Sequence, residues 1–70
     1  MREVGVIKTF VASRGFGFIQ RQGEADIFFH ISEVNDDNIY ESETLENLSV
    51  SFILEKGDDG RYKAVDVRSA

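Results

Sequence analysis

The sequence predicts an all-β fold, a small five-stranded antiparallel barrel, and three observations lead to that prediction. Five short segments carry apolar residues with a period of two, the spacing of a strand that buries one face. No stretch of about 11 residues combines apolar side chains at helical spacing with a helix cap. A chain of 70 residues buries only a modest core, and closing its sheet into a barrel removes exposed edges.

The first three strands are predicted within the first 30 residues. Residues 3–10 (EVGVIKTF) form the first strand, and residues 16–20 (FGFIQ) and 26–30 (DIFFH) form the second and third. Strict alternation divides the first strand into two sides, Val4, Val6, Lys8 and Phe10 against Gly5, Ile7 and Thr9.

The last two strands are predicted at residues 50–56 (VSFILEK) and 61–68 (RYKAVDVR). The GDDG between them indicates a hairpin turn, because Asp and Gly tolerate the backbone angles that such a turn requires. Residues 33–48 are polar and acidic, and we interpret them as a long connection with a helical turn around Ser32 to Val34.

Composition excludes several classes of protein. Cysteine is absent and His30 is the only histidine, so neither a zinc site nor a nucleophilic triad can be assembled, and we predict no enzyme, no metal and no cofactor. The N-terminus lacks the apolar region of a secretory signal, and no run approaches the roughly 20 apolar residues of a membrane span. We therefore expect one soluble, cytoplasmic domain over residues 1–70, with no membrane partner.

Charge is distributed unevenly along the chain, whose net charge is -5. Residues 1–23 hold four basic residues and one acidic residue, residues 24–55 hold nine acidic and no basic residues, and residues 56–70 hold four basic and three acidic residues. Because phosphate binding depends on Lys and Arg, any anion-binding surface must come from the two ends of the sequence.

The phenylalanines exceed what a small core requires. Alternation places Phe16 and Phe18 on one face of the second strand, and Phe28 and His30 on one face of the third. The opposite faces and the other strands supply a sufficient predicted core: Ile19, Ile27, Phe29, Val6 or Ile7, Val50, Phe52, Leu54, Val65 and Val67. If the two strands are neighbours, the surplus rings form an exposed aromatic surface suited to unstacked bases, with Gly15 and Gly17 leaving room for close approach. The alternative is that every phenylalanine belongs to the core.

Two motifs resemble a known family. The segment RGFGFI at residues 14–19 is similar to the first, and DIFFHI at residues 26–31 to the second, RNA-binding motif of the cold-shock domain. The resemblance extends over essentially the whole chain. It implies an OB-type Greek-key barrel that binds single-stranded DNA and RNA.

The resemblance also implies a set of nucleic-acid-binding residues. Phe16, Phe18, Phe28 and His30 match the stacking surface, with Phe10 at its margin. Lys8 and Arg14 match basic positions beside the bases, and Asp26 matches an acceptor for base edges. The resemblance further implies a contact of Arg61 or Lys63, near the last hairpin, with the nucleic-acid backbone, and a role for Tyr40 in place of an aromatic residue of the long connection.

Two departures from the family pattern predict weaker binding than is typical of it. Thr9 stands where the family usually has tryptophan, and Ile31 stands where it commonly has phenylalanine. Each lost ring removes a stacking contribution of about 1–3 kcal/mol per base.

The resulting hypothesis is a single-stranded nucleic-acid binder that acts as an RNA chaperone. Its partner would be single-stranded RNA or DNA, pyrimidine-rich, bound by a monomer or weak homodimer. The alternative is a protein-interaction or self-associating module that uses the same aromatic face, which the missing tryptophan and the acidic composition favour.

Overall fold

The computed structural model describes residues 2–40 and 44–70, with the side chain of Tyr40 outside the description. Those residues contain five strands: β1 (Arg2–Val11), β2 (Phe16–Gln20), β3 (Ile27–His30), β4 (Ser49–Lys56) and β5 (Tyr62–Ser69). The long connection carries a 3-10 helix (Ile31–Glu33) and one short helix, α1 (Asp37–Tyr40). The predicted all-β fold is confirmed, and the helical turn lies one residue before its predicted position.

The strands close into a barrel in the order β1-β2-β3-β5-β4. Among the described strands the pairs are antiparallel, except that β3 and β5 are parallel. The parallel pair arises because the connection from β3 crosses the end of the barrel to reach β4, and Val34 forms a bridge with Val67 of β5 on the way. Every strand therefore has a neighbour on both sides, which removes the exposed edges of a small sheet.

The core contains most of the predicted residues and adds three others. Its buried members are Ile7, Ile19, Ile27, Phe29, Val34, Ile39, Val50, Phe52, Ala64 and Val67. Ile7 is the inward residue of the pair Val6 or Ile7, and Leu54 packs partly buried against the cluster. Val34 and Ile39 come from the acidic connection, which therefore contributes to the core as well as linking two strands.

A β-bulge in β1 overturns the strict alternation predicted for this strand. The β1–β2 register shifts between Ile7 and Thr9, so that Thr9 lies opposite Phe18 and Phe10 lies opposite Gly17. Phe10 consequently stacks on the buried ring of Phe29, with 6.1 Å between ring centroids. The prediction that Phe10 shares the face of Lys8 was wrong, because the extra residue of a bulge reverses the sides of everything beyond it.

Gly17 serves the packing of the barrel and not access for a ligand. A Cβ added there would lie 2.9 Å from the Phe29 ring and would also press against the Thr9 carbonyl oxygen. The interpretation of Gly17 as room for close approach of a ligand was therefore wrong: this glycine is buried between the β1 backbone and the Phe29 ring.

A second register shift changes which residues of β5 face inward. The β4–β5 pairing shifts between Ser51 and Ile53, and Asp66 adopts a positive φ of 51°. Ala64 and Val67 are buried as a result, whereas Val65 is only half-buried. The prediction that Val65 belongs to the core was therefore wrong, because here too a bulge reverses the sides of the strand.

The carboxylate of Asp66 joins three segments of the chain. It accepts hydrogen bonds from Asn35 Nδ2 at 2.8 Å, from Arg2 at 2.8 Å and from Arg68 at 3.0 Å. Arg2 also donates to the Asp66 backbone oxygen. The hydrogen bonds from Asn35 first, and then from Arg2 and Arg68, lower the pKa of Asp66 to about 2. The cluster ties β1, β5 and the long connection together at one end of the barrel.

We expect Asp66→Asn to lower the free energy of unfolding at pH 7 and to flatten its fall in acid. A carboxyl with a lowered pKa contributes stability above its unfolded pKa of about 3.9, and that contribution is lost as the pH falls towards the folded pKa of about 2. Asparagine tolerates the positive φ of this position, so the substitution tests the charge and not the backbone. Urea unfolding between pH 7 and pH 2 measures the effect.

The matched control is Asp58→Asn, which removes a carboxylate from the exposed turn between β4 and β5. The pKa of Asp36 is also lowered, chiefly by the hydrogen bond from the Ser69 backbone N–H, but this contribution is common to all three proteins and cancels in the comparison. Identical acid dependence of Asp66→Asn and wild type would contradict the prediction.

Candidate nucleic-acid interface

β2 and β3 are neighbours, and their register collects the predicted aromatic residues on one face. Phe18 lies opposite Phe28, and Phe16 lies opposite His30. The intervening residues Ile19, Ile27 and Phe29 are buried beneath them. The structure therefore brings together Phe16, Phe18, Phe28 and His30, which we call the aromatic platform.

The three phenylalanine rings of the platform contact one another while staying accessible. The ring of Phe28 lies 5.6 Å from Phe16 and 6.1 Å from Phe18, and those of Phe16 and Phe18 lie 6.2 Å apart, as measured between centroids. Phe18 is 38% exposed and Phe28 is 36% exposed. Phe18 meets each of the other two rings edge to face, a favourable arrangement, so the rings support one another above the buried core. The alternative that every phenylalanine belongs to the core is excluded.

His30 is held at the edge of the platform by hydrogen bonds of its own. The Ser32 backbone N–H donates to His30 Nδ1 at 3.0 Å, which caps the 3-10 helix, and Ser32 Oγ lies 2.9 Å from the same nitrogen. Because a backbone N–H can only donate, Nδ1 acts as the acceptor and the proton of the neutral ring is on Nε2. These contacts fix the orientation of the imidazole while the residue remains exposed.

The two departures from the family pattern have different surroundings. Thr9 is exposed opposite Phe18, so this position of β1 contributes no ring beside the platform. Ile31 is half-buried and packs against the core cluster. Tyr40, whose role was predicted from the resemblance, has a side chain outside the described part of the structure.

The basic residues of the N-terminal segment differ in their surroundings. Arg2 is bound to Asp66, and the side chain of Arg21 is 15% exposed between Glu3, at 3.4 Å, and Glu24, at 3.2 Å. Lys8 Nζ lies 3.4 Å from Asp26 Oδ2 in a pair that solvent reaches. Arg14 is exposed and makes no ion pair with any residue in 2–40 or 44–70. Lys8 and Arg14 are thus the cations of this segment that remain accessible.

A cleft extends from the platform to the β4–β5 hairpin. It is lined by Phe18 of β2, by Phe28 of β3 and by Asp26 just before β3. The hairpin contributes the remaining lining residues, Gly57, Asp58, Asp59, Arg61, Tyr62 and Lys63. Lys63 is the strand partner of Phe28, and the Arg61 side chain is 89% exposed, with only a long 3.9 Å contact to Asp59. The structure thus brings the predicted Asp26, Arg61 and Lys63 beside two rings of the platform.

Tyr62 lies in this cleft and was missed by the sequence analysis. It is 55% exposed and lines the cleft together with Phe18 and Phe28. The signal that could have found it is an aromatic residue between two cations, Arg61 and Lys63, directly after a turn.

Within residues 2–40 and 44–70, no helix is both long enough and apolar enough to cross a membrane.

The architecture and the face just described define the class of protein: an OB-type β-barrel with exposed rings on adjacent strands. The model of the 'Cold-shock' DNA-binding domain matches residues 3–70. The chain belongs to the cold-shock domain family, which binds nucleic acids and is not enzymatic.

Two relatives of similar length and one longer solved structure support this assignment. Cold shock protein CspA of Staphylococcus haemolyticus is 45% identical over 60 residues, which cover 86% of this chain and 88% of that protein. The protein of the same name from Staphylococcus aureus strain USA300 is 43% identical over the same shares. The solved structure of drosophila Unr CSD456 superposes with a TM-score of 0.78 at 30% identity, covering all of this chain. This chain spans 27% of the length of that one.

Proposed function

We propose that this chain binds single-stranded RNA or DNA by stacking unpaired bases on the aromatic platform, and that it acts as an RNA chaperone in the cytoplasm. The observation that carries the proposal is the set of mutually packed rings above a filled core, with Phe18 and Phe28 exposed and Phe16 half-buried. Planar rings accept any base with an exposed π-face, and only unpaired bases present one. The site therefore distinguishes single strands from duplexes more strongly than it distinguishes one sequence from another.

The charged residues around the platform have a supporting role in this proposal. In this proposal Arg14, Lys8 and Lys63 neutralise the phosphates of a bound strand. Asp26 offers a carboxylate to the N–H groups of base edges, and such groups are present on all four bases. Phe10 supports the platform indirectly, because its ring stacks on the buried ring of Phe29 beneath the platform.

RNA chaperone activity follows from binding alone. A protein that binds unpaired strands and not paired ones shifts the equilibrium of a hairpin towards its open form by mass action. The shift needs no ATP and grows with protein concentration. Weak, sequence-tolerant contacts suit this activity because each captured segment must also be released.

Titration with fluorescently labelled oligouridine, its DNA counterpart and a duplex of matched length tests the proposal. We expect both single strands to bind and the duplex not to bind. Since we expect phosphate contacts only from Lys8, Arg14 and one cation of the hairpin, Arg61 or Lys63, affinity should depend only weakly on salt, with a slope corresponding to about two or three phosphates at 0.7 each. Arg14→Gln should lower the slope by about 0.7, and Arg21→Gln should leave it unchanged because Arg21 is occupied by Glu3 and Glu24.

Amide NMR shifts recorded during the same titration separate the proposal from its alternative. Shifts concentrated on the platform upon addition of oligouridine support nucleic-acid binding. Shifts of the same residues that depend on protein concentration without any oligonucleotide would instead identify a self-associating module. A slope demanding six or more phosphate contacts would contradict stacking as the main source of affinity.

A further inference from the structure

We propose that Tyr62 is a further base-stacking residue, so that a bound single strand continues from the aromatic platform into the cleft beside the β4–β5 hairpin. The inference rests on the proposed function and extends its site by one nucleotide position. It assigns a role to a residue outside the two motifs that resemble the cold-shock domain.

The position of Tyr62 follows from the pairing of β5 with its two neighbours. Tyr62 begins β5, pairs with Lys56 of β4, and precedes Lys63, which is the parallel partner of Phe28 in β3. The start of β5 is therefore adjacent to the outward ring of β3. This is why a residue more than 30 positions away in the sequence lines the same cleft as Phe18 and Phe28.

The apolar surface of the platform continues into this cleft. Isolated exposed apolar residues are common on protein surfaces and need no explanation. Here, however, three exposed rings line one depression: Tyr62 at 55% exposure, Phe18 at 38% and Phe28 at 36%. A contiguous aromatic surface of this kind on a small domain is typical of a binding site.

The charged groups around Tyr62 match the chemistry of a nucleotide. Arg61 and Lys63 flank the ring in the sequence and line the cleft with it, together with Asp58 and Asp59 of the turn, and these two cations can meet the phosphates of a stacked nucleotide. Asp26 also lines the cleft, and its carboxylate, which lies 3.4 Å from Lys8 Nζ, can accept hydrogen bonds from a base edge. A ligand with flat apolar faces, N–H donors at its edge and an anionic linker satisfies all three features.

Tyr62 also compensates for the small residue on β1. Thr9 is exposed opposite Phe18 and provides no ring there. Tyr62 supplies a ring on the hairpin side of the same phenylalanine. The number of stacking positions is therefore larger than the sequence motifs alone indicate.

The test compares Tyr62→Ala and Tyr62→Phe with wild type in their affinity for labelled oligouridine. The matched control is Val4→Ala, which truncates an apolar residue that is 69% exposed and lies outside the cleft. We expect Tyr62→Ala to weaken binding by at least about fivefold, the lower end of the range for one stacked base. Tyr62→Phe, which keeps the ring, should bind within about twofold of wild type, as should Val4→Ala. Thermal unfolding of each variant verifies that the fold is intact.

Three other results would contradict the role of Tyr62, its stacking mode or the proposed function, respectively. Wild-type affinity of Tyr62→Ala, in an experiment where Phe28→Ala does weaken binding, would overturn the role of Tyr62 and leave the proposed function standing. A loss in Tyr62→Phe as large as that in Tyr62→Ala would overturn stacking in favour of hydrogen bonding by the phenol. If wild type itself does not bind oligouridine, the proposed function fails together with the inference.

Discussion

Phe29→Ala is expected to lower the free energy of unfolding by about 3–5 kcal/mol, whereas Phe28→Ala should leave the fold intact and weaken oligonucleotide binding. The two rings are adjacent along β3, but Phe29 is fully buried and Phe28 is 36% exposed. Removing Phe29 leaves a cavity among Ile19, Phe52 and the other core residues, and also removes the support of Phe10. A domain of this size has little stability beyond that loss.

Urea unfolding and oligouridine titration of both variants measure these effects. The pair is internally controlled because the same side chain is truncated at neighbouring positions of one strand. The expected pattern is a large change in stability for one variant and a change of about 1–3 kcal/mol in binding for the other. Unfolding of Phe28→Ala together with a stable Phe29→Ala would mean that the faces of β3 are reversed.

The positions of the strands could be predicted because periodicity is a local property. In β2 and β3 the alternation of FGFIQ and IFFH continues without interruption, and the faces of Phe16, Phe18, Phe28 and His30 follow from it. The prediction of the platform needed one further assumption, that β2 and β3 are neighbours. A short connection makes that assumption reasonable, and the structure confirms it.

The faces of β1 and β5 could not be predicted because their bulges depend on the partner strand. In β1 the register shift lies near buried Gly17 of β2, whose missing side chain allows the two backbones to approach each other. The sequence of residues 3–10 alone does not indicate this shift. In β5 the shift accompanies the positive φ of Asp66, an angle that Asp tolerates but does not impose. One bulge in each strand was sufficient to misplace Phe10 and Val65.

The number of basic residues near the site could be predicted from the sequence, but which of them are free of ion pairs could not. The sequence shows four cations in the first 23 residues, yet only the folded chain reveals that Asp66 engages Arg2 and that two glutamates engage Arg21. Tyr62 was missed for a related reason: its neighbours in the cleft come from β2 and β3 and are distant in sequence. Contacts between segments that are distant in the sequence are the hardest to predict from a single sequence.

Thr9→Trp is expected to raise affinity for oligouridine or oligothymidine by up to about 1–3 kcal/mol, or roughly 5- to 150-fold. The bulge turns Thr9 to the exposed side of β1, directly opposite Phe18, so an indole there would lie beside the platform without entering the core. It would supply the ring that the resemblance to cold-shock domains implies at this position. The chain contains no other tryptophan, so fluorescence quenching by the oligonucleotide would report the contact directly.

Val6→Trp is the matched control for this substitution. Val6 is on the same strand and is 38% exposed, as Phe18 is, but it lies opposite Gln20, beyond the ring-bearing end of β2. An indole at that position adds equal aromatic surface away from the platform, so we expect neither tighter binding nor quenching. An equal gain in both variants would indicate non-specific adhesion of the indole. Unchanged affinity and unquenched fluorescence in Thr9→Trp would show that bases do not stack on this side of Phe18, and would favour a protein-interaction role for the platform.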